Sequence, residues 1–144
     1  MRHGVSVTEV LLVVVLIGLM TMIAAPRLDR AMAGIVVDAE AHRIASAHMR
    51  ARMMAITGSR VMLLGIAPES LWISEVAGTD TSRAWTGPGP AAAGAALSGP
   101  SHPLRFTPLG ITFGVSNGTW RVTYRGASRD VVVSRLGRVR VIRP

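Results

Sequence analysis

Two groups of residues in this sequence have types and spacings that point to chemistry. The first is Gly4 followed, five residues on, by the carboxylate of Glu9, directly ahead of a long apolar run. A glycine leaves the backbone free to run extended before a helix begins. Glu9 would then lie in the first turns of an apolar helix, near the positive end of its dipole, where a carboxylate is favoured. The second group is Arg135, Arg138, Arg140 and Arg143, close to the C-terminal end. Arg138 and Arg140 are two apart, so on a strand they share one face while Val139 and Val141 take the other. Guanidinium groups grip phosphates in bidentate fashion, and several together give salt-dependent, sequence-independent affinity for nucleic acid. The same cations would suit an acidic protein neighbour, and arginine on an exposed strand also blunts edge pairing.

Nothing comparable points to catalysis. The four His are dispersed, Cys is absent, and the eight acids form no pair with catalytic spacing. His42 and His48 are six apart, do not share a helix face, and read as surface residues. Gly87, Gly89 and Gly94 lie in a Pro/Ala-rich stretch with no following Lys, so they make no phosphate loop. No enzyme activity, cofactor or metal site is expected. Trp72, Trp85 and Trp120 are too scattered to form a base-stacking platform, and Trp72 and Trp120 read as core.

Composition narrows the setting. All sixteen cations are Arg, and the net charge is +8 over 144 residues. Eight of those Arg, against the single acid Asp130, fall between Ser101 and Pro144. With 49% apolar and 17% charged residues, a disordered polyelectrolyte is excluded. The absence of Cys excludes a disulfide framework.

The elements that would position these groups begin with the apolar run. Val10 to Ala25 holds sixteen residues without a charge. Extended back to Val5 it would make a helix of about 31 Å, matching a hydrocarbon core of about 30 Å. A secretory signal fits poorly: the cleavage candidates lack small residues at both required positions, and Glu9 stands where positive charge belongs. A simple signal anchor with Arg2 in the cytoplasm accounts for the run but leaves Glu9 unexplained. Helical patterning continues past Pro26. Leu28, Met32, Ile35, Val36 and Ala39 form one stripe. Ile44, Ala47, Ala51, Met54 and Ala55 form a second, rotated by roughly 100°. The first stripe would pack against other stems and the second against this chain's own sheet, with a stop at Thr57-Gly58.

Strands are expected at 61–66, 71–76, 104–106, 111–113, 119–124, 130–134 and 139–142, with Asn117-Gly118 as a hairpin turn. Asp130 reads as a turn residue. Residues 77–103, rich in Gly, Pro and Ala, read as a flexible loop. The fold class is α+β: a long N-terminal transmembrane and amphipathic α-helix packed on an antiparallel β-sheet head. The divisions are 1–4, ahead of the helix; 5–25, its membrane half; 26–57, its second half; and 58–144, the β-rich head.

Gly4, Ser6, Thr8, Glu9 and the run that follows resemble the class III signal of type IV prepilins and type II secretion pseudopilins. Val5 replaces the usual Phe, and Pro26 stands where these proteins commonly carry a helix-kinking Pro. The resemblance implies cleavage after Gly4 and methylation of Val5 by a prepilin peptidase/methyltransferase. It implies a single-pass bacterial inner-membrane protein, N-terminus cytoplasmic and head periplasmic, whose helix assembles with other pilins or pseudopilins. Glu9 would pair with a neighbour's N-terminal ammonium and set register. Ala51-Arg52-Met53-Met54-Ala55-Ile56, then Val61-Met62-Leu63, resembles the helix-end and first-strand pattern of the GspH/FimT family. Gly137-Arg138-Val139-Arg140 resembles that family's C-terminal signature. Two functions follow from the resemblance: a minor pseudopilin of a type II secretion system, or a FimT-like minor pilin that binds DNA for uptake through its C-terminal arginines.

Overall fold

A computed structural model describes residues 6–114 and 117–144. Gly4 and Val5 lie outside them. The chain forms two compact units, Met1–Met32 and Ala33–Pro144.

Helix α1 runs Val7–Gly58, with Pro26 inside it. In the first unit its side chains are exposed throughout, from Val7 at 77% to Met22 at 78%. Mean hydropathy over its most apolar window is 2.5, long and apolar enough to cross a membrane. The one hydroxyl within the 10–25 run, Thr21, donates back to Ile17 O at 2.8 Å and so leaves no free donor.

In the second unit α1 buries Ala33, Val37, Ala41, Ile44, Ala47, His48, Ala51 and Ala55. These side chains are mostly small, and most of them join the core cluster formed with the strands. The helix stops as Ser59 takes a left-handed φ of 48°, with Ser59 N–H donating to Ile56 O and Arg60 N–H to Ala55 O. These bonds satisfy the last carbonyls. The left-handed residue is thus Ser59, one beyond the expected Gly58.

Among the described residues nine strands follow: β1 Val61–Ile66, β2 Ser70–Ala77, β3 Asp80–Pro88, β4 Ala96–Ser98, β5 Leu104–Phe106, β6 Thr112–Phe113, β7 Gly118–Tyr124, β8 Ala127–Val133 and β9 Val139–Ile142. They make two antiparallel sheets, ordered β3-β2-β1-β5-β6 and β4-β7-β8-β9. One buried cluster draws side chains from α1 and from both sheets, including Phe106, Leu64, Ile73, Trp120 and Val131. The α+β class holds, with two sheets where a single one was expected.

Three local expectations are corrected. The 77–103 segment is not a loop: it carries β3, a 3-10 helix at Pro90–Ala93, and β4. Its small residues have specific positions. A Cβ on Gly87 would fall 2.6 Å from the Trp85 ring, and one on Gly89 would fall 2.2 Å from Pro68 O. Asn117-Gly118 does not close a hairpin, because β6 and β7 belong to different sheets. The tight turn is instead Arg125-Gly126 between β7 and β8, both residues at positive φ (44° and 80°). Asp130 is no turn residue: it lies within β8, opposite Arg121.

Candidate assembly and arginine surfaces

In the first unit Glu9 is exposed in the first turn of α1, its N–H bonded to Ser6 O at 3.0 Å. Ser6 and Thr8 share a hydroxyl hydrogen bond of 2.8 Å just before it.

Within the second unit the helix has a solvent face as regular as its buried one. Ile35, Ala39, His42, Ser46, Met49, Met53 and Ile56 are all exposed. Their spacing alternates four and three residues, the a/d rhythm of a helix–helix seam. The exposed stripe therefore does not give way to a rotated one beyond Arg43. Of the stripe expected to face other stems, Val36 is half-buried, while Ile35 (62% exposed) and Ala39 begin the seam. Of the stripe expected to face the sheet, Ile44, Ala47, Ala51 and Ala55 are buried and Met54 is half-buried.

The arginines divide by partner. Arg43 ion-pairs with the buried Glu40 at 3.0 Å. Burial pushes the Glu40 carboxyl up, and Arg43 opposes that shift. Arg60 grips both oxygens of Glu75 at 3.0 and 2.8 Å. Arg121 Nε and Nη2 reach the two oxygens of Asp130 at 2.7 and 2.8 Å across β7 and β8. That hydrogen bonding holds the Asp130 carboxyl below its ordinary value. Arg129 Nε donates to Asp38 Oδ1 at 3.0 Å, tying β8 to α1. Arg83 stacks over Trp72 at 4.5 Å and Arg50 over Trp85 at 5.1 Å. Trp72 is half-buried rather than core, its indole lying where a Cβ on Gly65 would collide at 1.9 Å.

Arg135, Arg138, Arg140 and Arg143 are all exposed, and among the described residues none has a carboxylate partner, a state they share with Arg105 and Arg125. In β9, Val139 and Val141 are half-buried against Val133 and Val131 while Arg140 faces out. Arg138 precedes the strand, its N–H bonded to Ser134 Oγ at 3.2 Å. Arg135 sits in the β8–β9 turn, and Arg143 follows β9.

The histidines need one correction. His42 is exposed, with Nδ1 2.8 Å from Asp38 O. His48 is fully buried, edge-on to Phe106 at a centroid distance of 5.0 Å. Neither ring nitrogen finds a hydrogen-bond partner among the described residues. Burial, reinforced by the charge of Arg52, lowers its pKa to about 4, so the ring is neutral at pH 7. Membership of the buried face was readable from the sequence, since His48 is four after Ile44 and three before Ala51. No group of three or more His, Cys, Asp or Glu converges to hold a metal among the described residues.

Residues 40–137 match the protein family described as type II transport protein GspH. The chain belongs to the GspH family. Known structures place the fold in the same group. The type IV minor pilin FimU of Pseudomonas aeruginosa is similar at a TM-score of 0.63 and 18% identity, over 74% of this chain and 87% of that one. The minor pseudopilin EpsH of the type 2 secretion system of Vibrio cholerae is similar at a TM-score of 0.60 and 14% identity, over 75% of this chain and 97% of that one. No curated protein matches the sequence significantly. As a GspH family member the chain has the pilin-like α+β fold, with a long apolar N-terminal helix and two antiparallel sheets.

Proposed function

We propose that this chain is a minor pseudopilin of a type II protein secretion system, and that it does no catalysis. A prepilin peptidase/methyltransferase cuts after Gly4 and methylates Val5. Residues 5–25 hold the product in the inner membrane with the head in the periplasm. Assembly with other pseudopilins then runs through α1. The observation that carries this reading is the exposed seam Ile35–Ile56, apolar save for His42 and Ser46, on a helix whose opposite face is already filled by its own strands. An exposed a/d seam of this length fits neighbouring helices better than water. The nearest cation to Glu9 along α1 is Arg27, beyond the far end of the apolar run. An ionised carboxylate costs about 2.5–3.5 kcal/mol at mid-bilayer and less near the interface and the helix N-terminus, where Glu9 lies in the first turn, but unpaired in lipid it is still unfavourable. A neighbour's N-terminal ammonium would relieve that cost and fix the stagger between subunits.

The test is made in cells carrying the cognate secretion system. Glu9→Ala should be trimmed and methylated normally but recovered outside the filament, by mass spectrometry of the N-terminus and by crosslinked subunit ladders. Normal incorporation of Glu9→Ala would overturn the registration role. An unprocessed N-terminus on the native protein would overturn the whole reading.

A second reading, a minor pilin that captures DNA for uptake, is favoured by the four exposed arginines, which lack acid partners among the described residues, and by the similarity to a type IV minor pilin. The full chain in nanodiscs should then shift duplex DNA at low salt and lose that shift with Arg138→Gln plus Arg140→Gln. Absence of a low-salt shift removes this reading and leaves the first.

A further inference from the structure

The head contains the same turn twice. Thr107-Pro108-Leu109-Gly110-Ile111 joins β5 to β6, and Ser134-Arg135-Leu136-Gly137-Arg138 joins β8 to β9. In each, the first residue's N–H bonds the fifth residue's carbonyl at 2.9 Å, and the glycine N–H bonds the first residue's carbonyl at 2.8 or 2.9 Å. The glycines have nearly equal φ, 71° and 73°. This geometry requires the glycine and makes no demand on the residue before it. Yet both turns carry Leu there, and Leu109 and Leu136 are 77% and 78% exposed.

The turns are fastened side by side. Thr112 Oγ1 donates to Arg135 O at 2.7 Å, and a Cβ on Gly137 would lie 3.5 Å from Gly110 O. Two leucines with no role in the fold therefore stand on adjoining turns. Beside them lie Ile56 of α1 and the exposed Ile111 and Phe113, and the charged side chains nearby are cations. Arg135 and Arg138 belong to the second turn, Arg52 packs its stem where a Cβ on Gly110 would sit at 3.2 Å, and Arg105 lies opposite Phe113 at the base of the first. None has a carboxylate partner among the described residues, and neither 104–114 nor 134–144 contains an acid.

We propose that these paired Leu-Gly turns form a docking tip for an anionic lipid surface. Leu109 and Leu136 enter the headgroup–acyl boundary while the arginines engage lipid phosphates. The shape favours this occupant. The leucines are convex tips rather than the walls of a groove, and a bilayer yields to such tips where a protein partner would need a matching cleft. Arginine suits the rim because its stem tolerates the interface while its head grips phosphate. The tip borders the seam proposed for filament assembly, since a Cβ on Gly110 would fall 2.6 Å from Ile56 Cδ1, but Leu109 and Leu136 are not members of that seam. The proposal is separable from DNA capture, which has no use for the leucines.

The experiment uses the full chain in nanodiscs, with empty nanodiscs as control. Sucrose-loaded vesicles of phosphatidylcholine, with or without one-third phosphatidylglycerol, are added and sedimented. Wild-type chain should pellet with the anionic vesicles and much less with the neutral ones. Leu109→Asn plus Leu136→Asn should reduce pelleting by about tenfold or more, and the matching Leu→Met pair should restore it. Arg135→Gln plus Arg138→Gln should weaken it most at low salt, and the difference from wild type should shrink as salt rises. Unchanged thermal melts would show that the exposed substitutions leave the fold intact. Pelleting indifferent to the leucine pair would overturn the proposal in favour of charge-only adsorption. So would failure of wild type to pellet with anionic vesicles. Leucine-dependent self-association in sedimentation velocity, without lipid, would instead identify the occupant as a second copy and also overturn it.

Discussion

Between Ala33 and Gly58, α1 has two faces with opposite surroundings, both mainly apolar. The buried one is built largely of alanine, with Val37, Ile44 and His48 as its bulkier members. The exposed one carries Ile35, Met49, Met53 and Ile56, at 41–62% exposure. Small residues stand where the helix must lie close against strands supplied by the same chain, a fit that is set once at folding. Larger and more adaptable side chains stand on the face proposed to receive a neighbouring helix, and methionine in particular tolerates varied contacts. Apolar character alone does not distinguish a folding face from a docking face; side-chain size does.

Three perturbations would sharpen or break that contrast. The largest effect is expected on the buried face, where Ile44→Ala removes a side chain 1% exposed and should cost about 2–5 kcal/mol in chemical denaturation. A loss below about 1 kcal/mol would mean that the helix is only loosely fixed to the sheets. Next is the pH response of His48. The folded chain holds this ring neutral down to about pH 4, whereas the unfolded chain protonates it near 6.5. Its burial therefore adds no pH-dependent cost above pH 6.5 and becomes increasingly destabilising as pH falls toward 4, by about 3 kcal/mol at the end of that window. Glu40, whose carboxyl is pushed up, works in the opposite direction in the acid range. The difference between wild type and His48→Phe therefore isolates the histidine, and parallel stability–pH curves for the two would refute its burial. The smallest stability effect belongs to the exposed face. Met49→Ser plus Met53→Ser should shift stability by no more than about 0.5 kcal/mol per site. The same pair should sharply reduce crosslinked subunit ladders in cells. A large fall in the thermal midpoint would place these methionines in the fold instead.

Much of this arrangement was legible in the residues. Strands β1, β5 and β9 lie where short runs bounded by turn residues put them. The helix end near Gly58 was equally plain. What escaped was information carried by distant partners. Residues 77–103 look like a linker by composition, yet Gly87 is small because Trp85 lies over it and Gly89 because the backbone at Pro68 comes close. Asn117-Gly118 has the local chemistry of a hairpin, but which sheet receives the next strand is decided elsewhere. The arginines all look alike in sequence. Only the fold shows that Arg129 meets Asp38, 91 residues away, and that Arg121 is neutralised across its own hairpin. Arg135, Arg138, Arg140 and Arg143 remain without such partners among the described residues, which is what makes them candidates for contact with something outside the chain.

The three indoles report on three separate layers. Trp120 is shut inside the core, with Nε1–H donated to Pro100 O at 3.0 Å, while Trp85 lies beneath a helix arginine and Trp72 beneath a strand arginine. A chain with one indole kept at a time would turn intrinsic fluorescence into a depth gauge, separating peeling of the outermost strand from release of the helix and from collapse of the interior.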